Sequence, residues 1–233
     1  MAMTEERRRI ASWMMALGIN TRCYHGAFYS LRGRRKRIYP PHLSHQQPWW
    51  PENRYVADTF ARLSYALQQG RPNVDVLVLH PVGSAFCLYD TLKMADPHDR
   101  SDEPAAARAL DTALVTLCAH LLSRRRDFDF GDETLLARHG TVEGDELRLG
   151  DMTYRVVVLP DMLTIRSSTL ALLTSFAEAG GWIIAAGRLP ERVDGVIDDR
   201  AAALADIAER TANEPAALGR ALDRALPPDL VLN

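Results

Sequence analysis

The sequence predicts an α/β protein whose C-terminal part contains a doubly wound parallel sheet. Three apolar runs, at residues 74–79, 155–159 and 182–186, are short and almost continuous. Amphipathic helical patterns separate them, and glycine or proline follows each run closely. Continuous apolar runs suit strands that are buried on both faces, and parallel neighbours need helical crossovers between them.

Composition and charge limit the classes of partner. The chain has 233 residues, of which 47% are hydrophobic and 25% charged, and its formal net charge is -2. This charge gives no overall reason to expect nucleic acid or an anionic membrane as a partner. No apolar run approaches the roughly 20 residues that cross a bilayer, and no signal-peptide stretch follows Met1. We therefore expect a cytoplasmic location, unless an N-terminal signal has been lost.

The first part of the chain predicts two helices around a long loop. Residues 5–17 place Ile10, Trp13, Met14 and Leu17 at helical spacing, and residues 53–69 form the second helix. Residues 19–24 form a short segment that we interpret as a strand, and residues 25–51 have almost no periodicity. Gly70 and Pro72 end the second helix, so we place a domain boundary there, with domains 1–70 and 71–233.

The second part alternates strands and helices, which indicates a flavodoxin-like or Rossmann-like sheet. Helices are predicted at residues 103–123, 169–179, 201–209 and 215–225, with one helical turn at 134–138. Shorter strands are predicted at 128–130 and 146–149, and residues 230–232 resemble a strand cut short. We expect the sheet to be incomplete at its C-terminal end.

Cysteine and acidic residues predict neither a metal site nor a cofactor. Cys23, Cys87 and Cys118 lie in mainly apolar stretches without metal-ligand spacing, so we expect buried free thiols. No GxGxxG motif follows a predicted strand, so no dinucleotide cofactor is expected. The acidic residues of 127–133 lack the calcium-loop pattern and predict a solvated turn, in which Asp132 caps the helical turn that starts at Glu133.

The most unusual peptide in the long loop is residues 46–51, QQPWWP. Adjacent exposed tryptophans are costly unless they pack on something, and an indole stacks well on the apolar face of a sugar ring. The alternative is that an indole caps the domain junction, and we expect one tryptophan of each kind. His25 follows the predicted strand end, where barrel enzymes bind ligands, although a structural histidine has comparable weight.

A basic run at Arg32 and residues 34–37 invites a nucleic-acid interpretation, because clustered guanidinium groups neutralise phosphates. Tyrosines and prolines flank the run, and the chain has no other basic stripe. We therefore favour a loop whose arginines bind carboxylates of the same protein.

Several segments, in order, resemble one family. Residues 18–20, 25–30, 35–36, 39–41 and 47–50 resemble the end of the catalytic barrel in large α-L-rhamnosidase-like glycoside hydrolases. Residues 75–81, 127–136, 159–160 and 180–181 resemble the amidotransferase-like accessory domain that follows this barrel. A related domain follows the barrel in some β-galactosidases. The resemblance spans about residues 7 to 190.

The resemblance implies a terminal piece of a (β/α)8 barrel at residues 1–70, followed by a flavodoxin-like accessory domain at 71–233. It implies carbohydrate as the ligand of the long loop, with substrate-binding residues His25, Tyr29, Gln47, Trp49 and Trp50. The expected protein partner is a missing barrel portion or a second copy of the chain.

Catalysis by this chain alone is not expected. Glycosidases need two carboxylates that flank the scissile bond, and residues 18–70 contain only Glu52 and Asp58. Amidotransferase chemistry needs a cysteine on a tight turn after a strand, whereas residues 160–163 read PDML. We therefore predict no catalytic residues here. The alternative function is a stand-alone flavodoxin-like binding or oligomerisation module with an N-terminal extension.

Overall fold

A computed structural model describes residues 2–23, 28–37, 43–89 and 103–227. The contacts divide the chain into two compact units, Met1–Pro72 and Asn73–Asn233. The assignment of the first unit to a barrel and of the second to an accessory domain stays a prediction.

Two helices form the first unit, α1 (Ala2–Ala16) and α2 (Asn53–Leu67). They pack through Ala11 and Met15 of α1 against Val56 and Phe60 of α2. Arg7 ties the two helices together, because its Nη1 donates to Asn53 Oδ1 at 3.1 Å. Two 3-10 turns, Gly33–Arg37 and Trp50–Glu52, lie in the connection between the helices.

The predicted apolar face of α1 is wrong. Ile10, Trp13 and Leu17 are exposed, and Trp13 exposes 63% of its surface. Ala11 and Met15, four residues apart, form the buried face instead. Ile10, Trp13 and Leu17 therefore lie outside this contact.

The predicted strand at residues 19–24 is also absent from its described part, residues 19–23. A strand needs a ladder partner, and the described residues of the first unit contain no other strand. Residues 19–23 instead lie along α2: Gln68 Nε2 donates to Thr21 Oγ1 at 3.0 Å, and the Arg22 guanidinium lies 4.9 Å from the Phe60 ring centre.

The second unit is a mixed α/β domain. Its strands are β1 (Val76–Leu79), β2 (Asp129–Gly131), β3 (Gly140–Glu143), β4 (Glu146–Leu149), β5 (Met152–Tyr154), β6 (Val156–Leu159), β7 (Thr164–Ile165), β8 (Trp182–Ala185), β9 (Arg192–Val193), β10 (Val196–Ile197) and β11 (Glu209–Arg210). Its helices are α3 (Val82–Phe86), α4 (Ala105–Ser123), α5 (Glu133–His139), α6 (Ser167–Glu178), α7 (Leu204–Ile207) and α8 (Pro215–Ala225), and a 3-10 helix precedes α7 at Asp199–Ala203.

The main sheet has five parallel strands in the order β11-β8-β6-β1-β2. This confirms the predicted α/β class, with β1, β6 and β8 as parallel neighbours. Numbered along the chain, the five strands have the order 2-1-3-4-5, which is one of the two common orders of doubly wound sheets. The direction of winding therefore reverses between β1 and β6.

Alternate residues of the central strands build one core on each face of the sheet. Leu77, Leu79, Val157 and Leu159 join the core that contains Leu173 and Phe176 of α6. Their neighbours Val76, Val78, Val156 and Val158 join the core that contains Leu117 and Leu121 of α4 and Leu222 of α8. Both faces are covered by helices, which explains why the strands are continuous apolar runs.

Helix α4 is, within the described ranges, the one helix long and apolar enough to cross a membrane by length and composition. It buries Leu117 and Leu121 against the sheet. In the structure, 22% of the 18-residue apolar window of α4 is buried.

Several short elements differ from the prediction. Strands β3, β4 and β5 form an antiparallel sheet, of which the sequence predicted only β4. Leu147 and Tyr154 of this sheet enter the core. The helix predicted at 201–209 is a 3-10 turn followed by α7, and its last residue belongs to β11, which pairs with β8. The predicted strand at 230–232 lies outside the described residues.

Candidate functional site

The predicted sugar-binding residues of the first unit lie just before α2. Ser44 O accepts from Gln47 N, and Gln47 O accepts from Trp50 N, both at 3.1 Å. Trp50 begins the 3-10 turn, and Pro51 follows inside it, where its fixed φ suits a helical start. The structure thus brings Gln47, Trp49 and Trp50 together in one compact turn, which we call the QPWW turn (residues 47–50).

The two tryptophans of this turn have different surroundings. The Arg7 guanidinium lies 5.1 Å from the centre of the Trp49 ring, in cation–π geometry, and Trp49 is half-buried. Trp50 is 36% exposed. Trp49 is therefore held by α1, whereas Trp50 keeps surface available to a ligand.

The other predicted binding residues do not join this turn. Tyr29 is fully exposed, so its ring packs against none of the described side chains. His25 lies outside the described residues. The basic run forms a 3-10 turn with Arg34, Arg35 and Arg37 exposed, and the ion pairs between described residues include none of these three. The carboxylate binding predicted for them is therefore not observed in this part of the chain.

Glu52 and Asp58 do not form a pair of catalytic type. Glu52 is exposed at the N-cap position of α2. Asp58 is exposed on the helix surface and pairs with Arg54 at 3.4 Å. Both carboxylates are exposed, so neither lies in an enclosed cleft.

A second candidate site, which sequence reasoning missed, lies in the second unit at the carboxyl ends of the parallel strands. A cavity of about 380 Å³ opens there. It is lined by Gly83, Cys87, Glu133, Thr164, Ile165, Arg166, Asp194 and Gly195. We call it the edge cavity. Its walls come from the segments after β1, β2 and β6 and from the β9–β10 hairpin, and it adjoins the reversal of winding, where open α/β sheets bind ligands.

Glu133, the first residue of α5, is the buried acid of this cavity. Its residue surface is only 2% exposed, and its Oε1 accepts from Arg166 N at 2.7 Å. Its Oε2 would lie 3.4 Å from a Cβ placed on Gly83, so glycine leaves space beside this oxygen. Burial raises the pKa of Glu133 above its ordinary value, although the hydrogen bond from Arg166 N opposes this effect.

Its neighbour Asp132 is the N-cap of α5, as the sequence predicted. Its Oδ1 accepts from Leu135 N at 3.0 Å and from Thr134 N at 2.8 Å. The hydrogen bond from Leu135 N is the main cause that lowers the pKa of Asp132. The interpretation of the whole acidic group as a solvated turn is wrong for Glu133, because helix α5 directs this side chain beneath the segment that begins α6.

Asp194 lies across the cavity in the turn between β9 and β10. Its Oδ1 accepts from Ser167 N at 3.0 Å, and this hydrogen bond lowers the pKa of Asp194. The next residue, Gly195, donates its N–H to Thr164 Oγ1 at 2.9 Å. Two carboxylates thus hold consecutive backbone N–H groups at the start of α6, which favours negative charge.

Cys87 lines the same cavity but has no partner for nucleophilic catalysis there. It is a free, exposed thiol, and Cys23 is exposed as well, so the prediction of buried thiols is wrong for both; Cys118 is half-buried. Cys87 is exposed because it follows α3 at the cavity wall, and Cys23 because it lies in an irregular segment. None of the described histidines lines the cavity. The described residues contain no group of three His, Cys, Asp or Glu side chains that could hold a metal ion.

The turn where an amidotransferase would carry its nucleophile is structural in this chain. Asp161 Oδ1 accepts from Arg188 N at 2.6 Å. The backbone around Asp161 also approaches Gly187 so closely that a Cβ there would lie 2.5 Å from Asp161 N. These contacts fix the turn after β6 against the end of β8.

No protein-family profile and no curated protein sequence matches the chain. Among solved structures, the chain is similar to a rhamnosidase from Novosphingobium sp. PP1Y, with 18% identity and a TM-score of 0.41 over 72% of this chain. It is also similar to Gan42B, a GH42 beta-galactosidase, with 17% identity and a TM-score of 0.32 over 56% of this chain. The matches cover 13% and 16% of those two chains. The chain thus has a distant structural similarity to glycoside hydrolases.

Proposed function

We propose that the chain is part of a glycoside hydrolase that acts on α-linked deoxysugar glycosides such as α-L-rhamnosides. In this proposal the first unit contributes a sugar-binding surface at the QPWW turn, and the second unit is an accessory domain. The support comes from the ordered resemblance of the segments between residues 18 and 181 to such enzymes, and from the geometry of the two tryptophans.

The observation that carries the proposal is the difference in surroundings and exposure between Trp49 and Trp50. An exposed indole beside an immobilised one is the arrangement expected when one ring supports a loop and the other stacks on a ligand. Trp49 already has a cationic partner in Arg7, whereas 36% of Trp50 remains exposed. An aromatic face next to amide and hydroxyl groups suits a sugar, which has an apolar face and polar edges. Gln47 supplies such an amide.

We further propose that hydrolysis requires carboxylates other than those of residues 18–70. A glycosidase needs an acid and a base or nucleophile, separated by about 5 to 10 Å across the scissile bond. Glu52 and Asp58 are both exposed, and Asp58 pairs with Arg54.

The test is a titration of the chain with methyl α-L-rhamnopyranoside, followed through the backbone amide NMR signals of Gln47 and Trp49. We expect Trp50→Ala to abolish the saturable shift of these two signals. Trp13→Ala is the matched control, because it removes an exposed indole from α1 (Trp13 is 63% exposed) without touching the turn. Hydrolysis of an aryl α-L-rhamnoside, measured on the same samples, should stay at background.

Trp49→Ala separates support from contact. We expect it to lower the melting temperature, because it removes the ring beneath Arg7, whereas Trp50→Ala should leave the melting temperature nearly unchanged. Equal sugar-induced shifts of the Gln47 and Trp49 signals in Trp50→Ala and in the unchanged chain would refute the role of Trp50, and turnover above background would refute the dependence on other carboxylates.

A further inference from the structure

We propose that the edge cavity of the second unit is a binding site for a small, neutral, polyhydroxylated molecule of monosaccharide size, with Glu133 Oε2 as its principal hydrogen-bond acceptor. The site is separate from the QPWW turn, and its existence does not depend on the function proposed for that turn.

The first support is the location and size of the cavity. It lies at the carboxyl ends of β1, β2 and β6, beside the reversal of winding between β1 and β6. Loops that diverge at such a reversal leave a crevice, and ligands of doubly wound sheets bind there. Its volume of about 380 Å³ is near the lower end of the roughly 300–1,000 Å³ typical of ligand pockets, so the ligand is small.

The second support is the state of the Glu133 carboxyl group. Glu133 is only 2% exposed, and one of its carboxyl oxygens already accepts from Arg166 N. The other oxygen lies beside Gly83, which lines the cavity and has no side chain to fill the space. Arg166 N and the Thr169 side chain both hydrogen-bond to this carboxyl group, and a carboxyl group has about four acceptor positions, so a ligand hydroxyl group can donate to one that remains on the cavity side.

The third support is the rigidity of the walls. Ser84 Oγ accepts from Leu163 N at 2.9 Å and from Thr164 N at 3.2 Å, which joins α3 to the segment after β6. Gly195 N donates to Thr164 Oγ1, and Asp194 N donates to Ile165 O at 2.9 Å. A site whose loops are already ordered loses little conformational entropy when it binds.

The charges of the lining favour a neutral ligand. Glu133 and Asp194 line the cavity together with Arg166, whose positive charge acts on both carboxyl groups. An anionic ligand would approach two carboxyl groups, and a cationic one would approach the guanidinium group. Hydroxyl groups can donate to the carboxyl oxygens and accept from the guanidinium group without either penalty.

The test uses the full chain carrying Trp50→Ala, so that the QPWW turn does not contribute to binding. L-rhamnose, D-galactose and myo-inositol are the neutral probes, D-galacturonate is the anionic probe and D-galactosamine the cationic one. Binding is followed by changes in the backbone amide NMR signals of Gly83, Arg166 and Gly195. We expect at least one neutral probe to shift these signals saturably, and to bind more tightly than both charged probes.

Two substitutions then test the acceptor: one blocks access to Glu133 Oε2, and the other replaces this oxygen. Gly83→Ala places a methyl group beside Glu133 Oε2, and alanine is at least as favourable as glycine within helix α3. Glu133→Gln keeps an oxygen for Arg166 N but replaces the second oxygen by a donor. We expect each to weaken binding by roughly tenfold or more, which is the scale of one hydrogen bond to a carboxyl group.

Glu143→Gln, an exposed substitution of the same kind on β3, is the matched control and should bind like the parent chain. The melting temperature of every variant is measured to establish that it is folded. No saturable shift with any neutral probe, tighter binding of a charged probe, or unchanged binding in a folded Gly83→Ala or Glu133→Gln variant would each overturn the proposal. Because all variants carry Trp50→Ala, none of these results bears on the function proposed for the first unit.

Discussion

Glu133 and Asp194 show how two carboxyl groups that line one cavity acquire opposite pKa shifts. Burial dominates at Glu133 and raises its pKa. At exposed Asp194, the hydrogen bond from Ser167 N dominates and lowers its pKa. Environments that separate the pKa values of two neighbouring groups are common at ligand and catalytic sites, although structural networks produce them as well.

The two shifts predict opposite pH dependences of stability. The folded state raises the pKa of Glu133, so folding is opposed once the pH exceeds the ordinary carboxyl value of 4.5, and the opposition increases until the pH passes the folded pKa. Glu133→Gln removes this cost. We therefore expect the stability of Glu133→Gln, relative to the unchanged chain, to rise as the pH increases from 4 to 8 in urea-unfolding experiments.

Asp194→Asn is the control with the opposite sign. The lowered pKa of Asp194 contributes stability that is present above its ordinary value of 3.8 and is lost as the pH falls through the folded pKa. Asp194→Asn should therefore be less stable than the unchanged chain at pH 7 and approach it in acid. Parallel pH profiles for the two variants would contradict the shifts.

At the scale of helices and strands, an element could be predicted from the sequence only when it was long enough to show a hydrophobic period. Strands β1, β6 and β8 and helices α2, α4, α6 and α8 were predicted within a few residues, because each contains at least four residues of consistent period. The two-residue strands β7, β9, β10 and β11 contain too few residues to show a period. They arise from tertiary pairing, such as that of Glu209 with Ile184.

The edge cavity was not predicted because it, too, arises from tertiary packing and not from a local sequence pattern. Glu133 belongs to an acidic stretch that looks solvated in sequence, and only the packing of α5 against the start of α6 buries it. Arg166 and Asp194 are distant from it in sequence. The signal that was available is that Asp132 and Glu133 directly follow β2 at the carboxyl edge of the sheet.

Helix α5 provides a prediction at this scale, because its seven residues depend on a good N-cap. Asp132→Ala removes the acceptor for Thr134 N and Leu135 N and should lower the free energy of unfolding by about 1 kcal/mol. Asp132→Asn keeps an oxygen acceptor and should cost less than half of this. The measurement is urea unfolding at pH 7, and an equal loss in both variants would mean that charge matters more than the hydrogen bonds.

At the scale of the whole molecule, the two units differ in how much core each contains. The described residues of the first unit form one buried cluster of four residues, Ala11, Met15, Val56 and Phe60. The second unit contains a core on each face of a five-stranded sheet. A small unit that buries little apolar surface offsets less of the conformational entropy that folding removes.

This difference predicts that residues 73–233 fold when they are expressed alone, whereas residues 1–72 do not. The second unit has its own parallel sheet, covered on both faces, so we expect a cooperative thermal transition and dispersed amide NMR signals. The first unit should show helical circular dichroism below that of its two described helices and no cooperative transition. Its large exposed residues, among them Ile10, Trp13, Leu17 and Leu67, should bind a hydrophobic dye. A cooperative transition of the isolated residues 1–72, or its absence in the isolated residues 73–233, would show that the visible cores do not determine the stability of the units.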